Sequence, residues 1–257
     1  MTRIEIVETL RERLRQMERT RRPARDAGAT ERDGLKRDSL DRFLARRGFR
    51  RGVLVEWLSR GAGGGAGTLA LATAVRVCGR GPLVVVDGRG DFFPPAAAGF
   101  GIELANMIVV RPRETRDCIW TLEQSLRCSG VGAVLCWVER LDARSFRRLQ
   151  IAADSSGVVG VLVRPASAAR QPSYAALRLR VEPIAESSRH APPCRPPHPP
   201  RHTECACYSR RVRVEVIRCR GAADGEVVEL EIDDATGDVR LAAQLADPAT
   251  VRRSVRA

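Results

Sequence analysis

The chain of 257 residues is long enough for one sizeable core with a small appendage, and no apolar run approaches the roughly 20 residues of a membrane-spanning helix. Its net charge of +13, from 44 basic and 31 acidic side chains, makes an acidic partner such as nucleic acid one expectation. The alternative is that the preference for arginine reflects a GC-rich genome, since Lys36 is the only lysine. Eight scattered cysteines, with no apolar signal-peptide core near the start, predict reduced thiols and a cytoplasmic location.

Residues 1–34 are predicted to form an amphipathic helix followed by a polar linker. Over residues 2–22 the apolar side chains recur every three or four positions and form one stripe. The stripe consists of Ile4, Val7, Leu10, Leu14 and Met17. Two interpretations stay open: the helix packs on its own domain, or it docks on a partner protein.

Residues 35–182 are predicted to form an α/β core. Five apolar runs have the length of buried strands, and they span residues 53–58, 82–87, 107–111, 132–138 and 158–163. Helical patterns cover residues 39–49, 115–129 and 143–155. Continuous apolar strands that alternate with helices indicate a mainly parallel sheet with helices on both faces.

A glycine-rich loop follows the first predicted strand and precedes a helical pattern. Its residues are Gly61, Gly63, Gly64, Gly65, Ala66, Gly67 and Thr68. Strand, glycine loop and helix is the arrangement in which backbone N–H groups hold a phosphate. Phosphoryl transfer also needs a lysine and a hydroxyl, and with Gly65 at the last glycine position those two places hold Ala66 and Gly67. The sequence therefore favours a vestigial turn with no cofactor, and a retained anion site is the alternative.

Residues 183–209 are predicted to form a proline-rich mobile connection. Seven prolines over residues 183–207 exclude a helix or an inner strand. The three histidines of the chain, His190, His198 and His202, all lie here, which excludes a histidine base in the core. The candidates for a zinc site lack C-x-x-C spacing, so a loop is favoured; they are Cys194, His198, His202, Cys205 and Cys207.

Residues 210–257 are predicted to hold the last strands and a basic tail. Alternating patterns over 211–219 and 226–233 indicate two strands, and a turn leads to a third short run over 239–245. The tail from residue 250 onward is expected to be frayed.

Several stretches of the chain resemble known families. The run LDRFLARRGFRRGVLVEWLSRGAGGGAGTLAL resembles the opening of a RecA-type ATPase core, and the likeness continues through LVVVDGRG and GAVLCWVERLD. The stretches MIVVRPR, LDARSFRRLQ and GVLVRPASAARQPSYAALRLRVEP look like the ImuA family, the RecA-like accessory proteins of bacterial damage-induced mutagenesis that are related to the division inhibitor SulA. The resemblance covers about residues 39–245 without the proline-rich connection. It implies a RecA-like core with an N-terminal helix and a C-terminal β-hairpin extension.

The chain departs from the RecA pattern at three places that serve phosphoryl transfer. Ala66 and Gly67 stand at the lysine and threonine of the phosphate loop. The second strand leads to Asp87, Gly88 and Arg89 where RecA leads to its water-activating glutamate, and the third strand ends in Cys136, Trp137 and Val138 where a magnesium-binding aspartate is expected. The resemblance therefore implies a protein that is not an enzyme.

The segment from Arg164 to Arg180 corresponds in the resemblance to a DNA-contacting loop of RecA. Arg164, Arg170 and Gln171 are candidates for phosphate contacts, and Tyr174 is a candidate for base stacking. The alternative is that Arg178 and Arg180 form the solvent face of a strand, since they alternate with apolar residues.

The resemblance implies an adaptor in error-prone translesion DNA synthesis under DNA-damage stress. Its partners would be an inactive Y-family polymerase homologue (ImuB) and an error-prone replicative-type polymerase, with RecA and single-stranded DNA as further candidates. The contacts are expected on the N-terminal stripe and on residues 210–257. Two other functions stay open: a nucleotide-dependent, DNA-binding switch, and a SulA-like inhibitor that binds the division protein FtsZ. The N-terminal helix and the C-terminal strands favour the adaptor.

Overall fold

The computed structural model describes residues 50–61, 63–79, 81–184, 209–220, 224–233 and 239–241, together with five single positions. Those positions are Glu8, Glu12, Leu40, Phe43 and Leu44. Within these residues the chain forms one sheet of nine strands with helices on both of its faces.

The sheet is parallel in its first part and antiparallel in its last part. The strands are β1 (Leu54–Ser59), β2 (Leu83–Val86), β3 (Met107–Val110), β4 (Ala133–Trp137), β5 (Val159–Pro165), β6 (Leu177–Pro183), β7 (Ser209–Cys219), β8 (Val227–Asp233) and β9 (Val239–Leu241). Their spatial order is β3-β2-β4-β5-β1-β6-β7-β8-β9. Strands β1 to β6 pair in parallel, whereas β6–β7, β7–β8 and β8–β9 pair antiparallel.

The helices divide the core into two layers. They are α1 (Ala66–Val77), the one-turn α2 (Pro95–Ala98), α3 (Thr115–Arg127) and α4 (Ala143–Ser156), with 3₁₀ turns at Leu104–Asn106 and Ala166–Arg170. The layer with α1 also holds the apolar side chains of β7 to β9, and the layer on the other face holds α3 and α4. Neighbouring residues of a strand point to opposite layers, as the pleat requires: Val161 packs with α1 and Leu162 packs with α3 and α4.

The α/β fold predicted from the sequence is confirmed, including the C-terminal hairpin, which extends the same sheet through β7 and β8. The strand β6 lies inside the sheet, between β1 and β7. The sequence had left open whether it was a strand with arginines on a solvent-exposed face. The run predicted over 239–245 is a strand only over Val239–Leu241 in the described residues. Neither the helix α2 nor the turn at Leu104–Asn106 was predicted from the sequence.

Candidate functional site

The glycine loop lies between the end of β1 and the start of α1. Helix α1 begins at Ala66, and the residue before it, Gly65, has a φ of 82° with no side chain capping the helix. On the other side of the loop, the hydroxyl of Ser59 donates to the carbonyl of Gly61 at 2.6 Å. The loop thus has the strand–turn–helix geometry of a phosphate loop, with its own local hydrogen bond.

Strand β7 covers this loop. The Arg210 guanidinium donates from Nη1 to the Gly63 carbonyl at 3.2 Å and from Nη2 to the Thr68 hydroxyl at 3.1 Å. A Cβ atom added to Gly65 would lie 2.8 Å from Cγ1 of Val212 and 3.3 Å from Cδ1 of Ile232. Glycine at position 65 is therefore required by the packing of β7 and β8, whether or not the loop holds a phosphate.

The ends of β2 and β4 lie at the same edge of the sheet as the loop. Asp87 is buried, and its carboxylate accepts from the Gly90 N–H at 2.8 Å, the Phe92 N–H at 3.2 Å and the Arg111 Nε at 3.1 Å. Trp137, at the end of β4, packs on Phe92 with ring centroids 5.8 Å apart. Both positions thus organise the local structure: Asp87 holds the segment after β2, and Trp137 packs against that segment through Phe92.

A second polar cluster lies inside the molecule, centred on Glu56 of β1. Its carboxylate accepts from Arg164 Nη1, Arg178 Nε and the Ser173 hydroxyl, each at 2.6 Å. The side chains of Glu56 and Arg164 are fully buried, and that of Arg178 is 5% exposed. These charge-assisted hydrogen bonds connect the middle of the sheet to the segment between β5 and β6.

Arg178 also holds the 3₁₀ turn Ala166–Arg170 in place. Its Nη atoms donate to the carbonyls of Ala168, Ala169 and Gln171 at 2.9–3.2 Å. The Arg178 guanidinium thus donates to three backbone carbonyls of this segment and to the Glu56 carboxylate of β1, so it fixes the segment after β5 to the sheet.

The four DNA-contact candidates have different environments. Arg164 is buried against Glu56, so its guanidinium is not available to a phosphate, and Gln171 is exposed but accepts from Arg164 Nη2 at 2.7 Å. Arg170 is exposed. Tyr174 is half-buried and makes an edge-to-face contact with Phe146. The Arg147 guanidinium lies 5.5 Å from the centre of the Tyr174 ring, so it covers a face that base stacking would use.

The alternative interpretation of β6 as a strand with a solvent-exposed arginine face is wrong for Arg178 because that side chain pairs with Glu56 in the interior. Arg180 is partly exposed and pairs with Glu215 of β7 at 3.2 Å. The role of Glu56 was missed, although a single carboxylate in the apolar run VLVEWL was a signal: a charge in a buried strand needs a partner.

The other sequence predictions about sites lie outside the described residues. These are the cysteine and histidine cluster between 194 and 207 and the stripe Ile4, Val7, Leu10, Leu14 and Met17. In the part of the chain that the structure describes, no three His, Cys, Asp or Glu side chains are grouped to hold a metal ion. No helix there is long and apolar enough to cross a membrane.

Comparison with known proteins identifies relatives that match between 65% and 75% of this chain. No family model matches the chain. Two proteins named Protein ImuA, from two strains of Caulobacter vibrioides, are each 33% identical to it over 173 residues, which cover 65% of this chain and 68% of theirs. Among solved structures, the RadB recombinase has the same fold with a TM-score of 0.54 and 15% identity, and the match covers 75% of this chain and 92% of that one. The chain has a RecA-like fold and belongs to the ImuA family.

Proposed function

We propose that this chain is a non-catalytic RecA-like adaptor in error-prone translesion DNA synthesis. Membership of the ImuA family supports a role in damage-induced mutagenesis. The observation that carries the non-catalytic part is the position of Arg210, whose guanidinium bridges the two sides of the glycine loop. The loop is thereby used for packing within the chain.

The chemistry of the sheet edge supports the same conclusion. Phosphoryl transfer in this class of fold relies on a phosphate-binding cation, a metal ligand and a group that orients the attacking water. Here the loop continues with Ala66 and Gly67, β4 ends at Trp137, and the oxygens of Asp87 are occupied by local donors. Loss of a single such electrostatic group raises the barrier by about 3–4 kcal/mol. We therefore propose that this chain does not hydrolyse nucleotides.

The proposed partners are an inactive Y-family polymerase homologue of the ImuB type and an error-prone replicative-type polymerase, with RecA as a third candidate. We place the contacts on the stripe of residues 4–17 and on residues 210–257. Strands β7 to β9 supply the core with Val214 and Leu230, so the end of the chain after residue 241 is the part that is separable for a test.

A complementation assay tests the adaptor role. In a strain that lacks the gene, the full chain should restore the frequency of damage-induced mutations, and the purified protein should release no phosphate from ATP with or without single-stranded DNA. Replacement of Val7 and Leu10 by glutamate should abolish restoration while the melting temperature stays unchanged. ATP turnover by the purified chain, or full restoration by this double variant, would contradict the proposal.

A further inference from the structure

Three exposed arginines converge on Tyr174 and the residue before it. The Arg147 guanidinium of α4 lies 5.5 Å from the centre of the tyrosine ring. From the end of β7, Arg218 Nη1 donates to the Ser173 carbonyl at 2.9 Å, and Arg220 Nη2 donates to the Tyr174 carbonyl at 3.4 Å. We call Arg147, Arg218 and Arg220 the arginine face.

One carboxylate lies near this face: that of Asp224 accepts from the N–H of Cys219, the residue between Arg218 and Arg220, at 2.7 Å. In the described parts of the chain, no ion pair involves a member of the arginine face or the exposed Arg170. A guanidinium has five N–H donors, so each of these side chains keeps donors for a further partner.

The interior beneath the face adds to its charge. One carboxylate, Glu56, faces two buried guanidinium groups, Arg164 and Arg178, which leaves a formal excess of one positive charge. Arg178 also lies directly opposite Arg218 in the pairing of β6 with β7, and like charges in that relation destabilise a sheet. A buried excess charge is poorly screened, so the surface at Gln171, whose amide oxygen accepts from Arg164, has a positive potential.

We propose that the arginine face binds the phosphate backbone of single-stranded nucleic acid. Phosphodiester groups carry the negative charge that these guanidinium groups attract, and planar guanidinium groups bind them with paired hydrogen bonds. A single strand fits because its flexible backbone can follow side chains that come from separate elements. A protein partner would require an apolar contact core, whereas the aromatic ring here, Tyr174, is half-buried beneath Arg147.

This inference takes its biological setting from the proposed function, and its test is independent of polymerase partners. Binding of the full chain to a fluorescent oligothymidylate is measured by anisotropy as a function of salt. The double variant Arg218→Gln/Arg220→Gln should reduce the slope of log affinity against log salt by about 1.4, since each lost phosphate contact on a single strand contributes about 0.7. The control Arg113→Gln/Arg116→Gln removes the same charge from exposed positions near α3 and should leave the slope unchanged. Arg147→Gln, which removes no backbone hydrogen bond, should reduce the slope by about 0.7.

A charge substitution at Gln171 separates binding from folding. The change Gln171→Glu places a carboxylate beside Arg164, so it should raise the melting temperature and weaken oligothymidylate binding at the same time. Equal losses in the arginine-face and control variants would overturn the proposal, as would tighter or unchanged binding by Gln171→Glu. Polyglutamate that competes as well as the oligonucleotide at matched charge would overturn the assignment to nucleic acid. Failure here would leave damage-induced mutation and polymerase capture unaffected, whereas failure of the adaptor role would show in those assays.

Discussion

The substitution Gly65→Ala should be the most destabilising change in the glycine loop. The backbone at position 65 has a φ of 82°, a conformation that costs a residue with a Cβ about 1–2 kcal/mol. The new methyl group would also lie 2.8 Å from Cγ1 of Val212 and 3.3 Å from Cδ1 of Ile232. Overpacking of this kind costs about 1–3 kcal/mol, so we expect a total loss of about 2–5 kcal/mol.

Two neighbouring glycines serve as matched controls. Gly63 has a φ of 78° with no atom within 4 Å of an added Cβ, so Gly63→Ala should cost only the conformational part, about 1–2 kcal/mol. Gly61 has neither a positive φ nor a neighbour within that distance, and Gly61→Ala should change stability by less than about 0.5 kcal/mol.

Urea denaturation of the three variants measures these differences. In a Val212→Ala background the contact with the added methyl group disappears, so Gly65→Ala and Val212→Ala should show a coupling energy of about 1–3 kcal/mol. Equal losses for Gly65→Ala and Gly63→Ala, together with no coupling to Val212, would show that β7 does not constrain the loop. Packing against β7 would then not be the reason why glycine is required at position 65.

Three further predictions concern charge, pH and nucleotide. Glu56→Gln leaves two buried guanidinium groups without their carboxylate and should cost about 3–5 kcal/mol in urea denaturation, whereas Glu182→Gln at the exposed Arg60 pair should cost less than about 1 kcal/mol. Burial raises the pKa of the Cys136 thiol above the ordinary value of 9.0. The contribution of the protonated thiol to the free energy of unfolding is therefore fully present below pH 9 and is lost as the pH rises above that value. The free energy of unfolding should fall there by about 1.4 kcal/mol per pH unit more in the wild type than in Cys136→Ala, and equal slopes would contradict this. Magnesium and ATP should leave the melting temperature unchanged. A nucleotide that bound the folded chain would instead raise the free energy of unfolding by about 2.7 kcal/mol at 100 times its Kd, and the melting temperature with it.

The fold was predictable because its strands differ strongly from their surroundings. Runs such as residues 84–86 and 161–163 are apolar without alternation, which occurs when helices cover both faces of a parallel sheet. The strands β7 and β8 alternate instead, because their apolar side chains join the α1 layer while residues such as Arg213 are exposed. The spacing of apolar residues along the sequence thus distinguished the buried parallel strands from the antiparallel strands β7 and β8.

The site was harder to predict because its contacts join distant parts of the chain. The glycine loop was recognised, but its contact with Arg210 spans 147 positions, and no local pattern indicates such a pair. Arg164 was expected at the surface because a guanidinium is rarely buried, but the carboxylate that allows its burial lies 108 positions earlier on β1. Arg164 lies on β5, Glu56 on β1 and Arg178 on β6, so their three charges can be placed together only when the order of these strands in the sheet is known.

An adaptor of translesion synthesis is defined by the proteins that it binds in the damaged cell. The measurement is affinity purification of the tagged full chain from cells exposed to DNA damage, with untreated cells as the control and identification of every co-purified protein. We expect recovery of an inactive Y-family polymerase homologue, with or without RecA, after damage. Recovery of FtsZ without any polymerase would contradict the adaptor role and favour a division inhibitor.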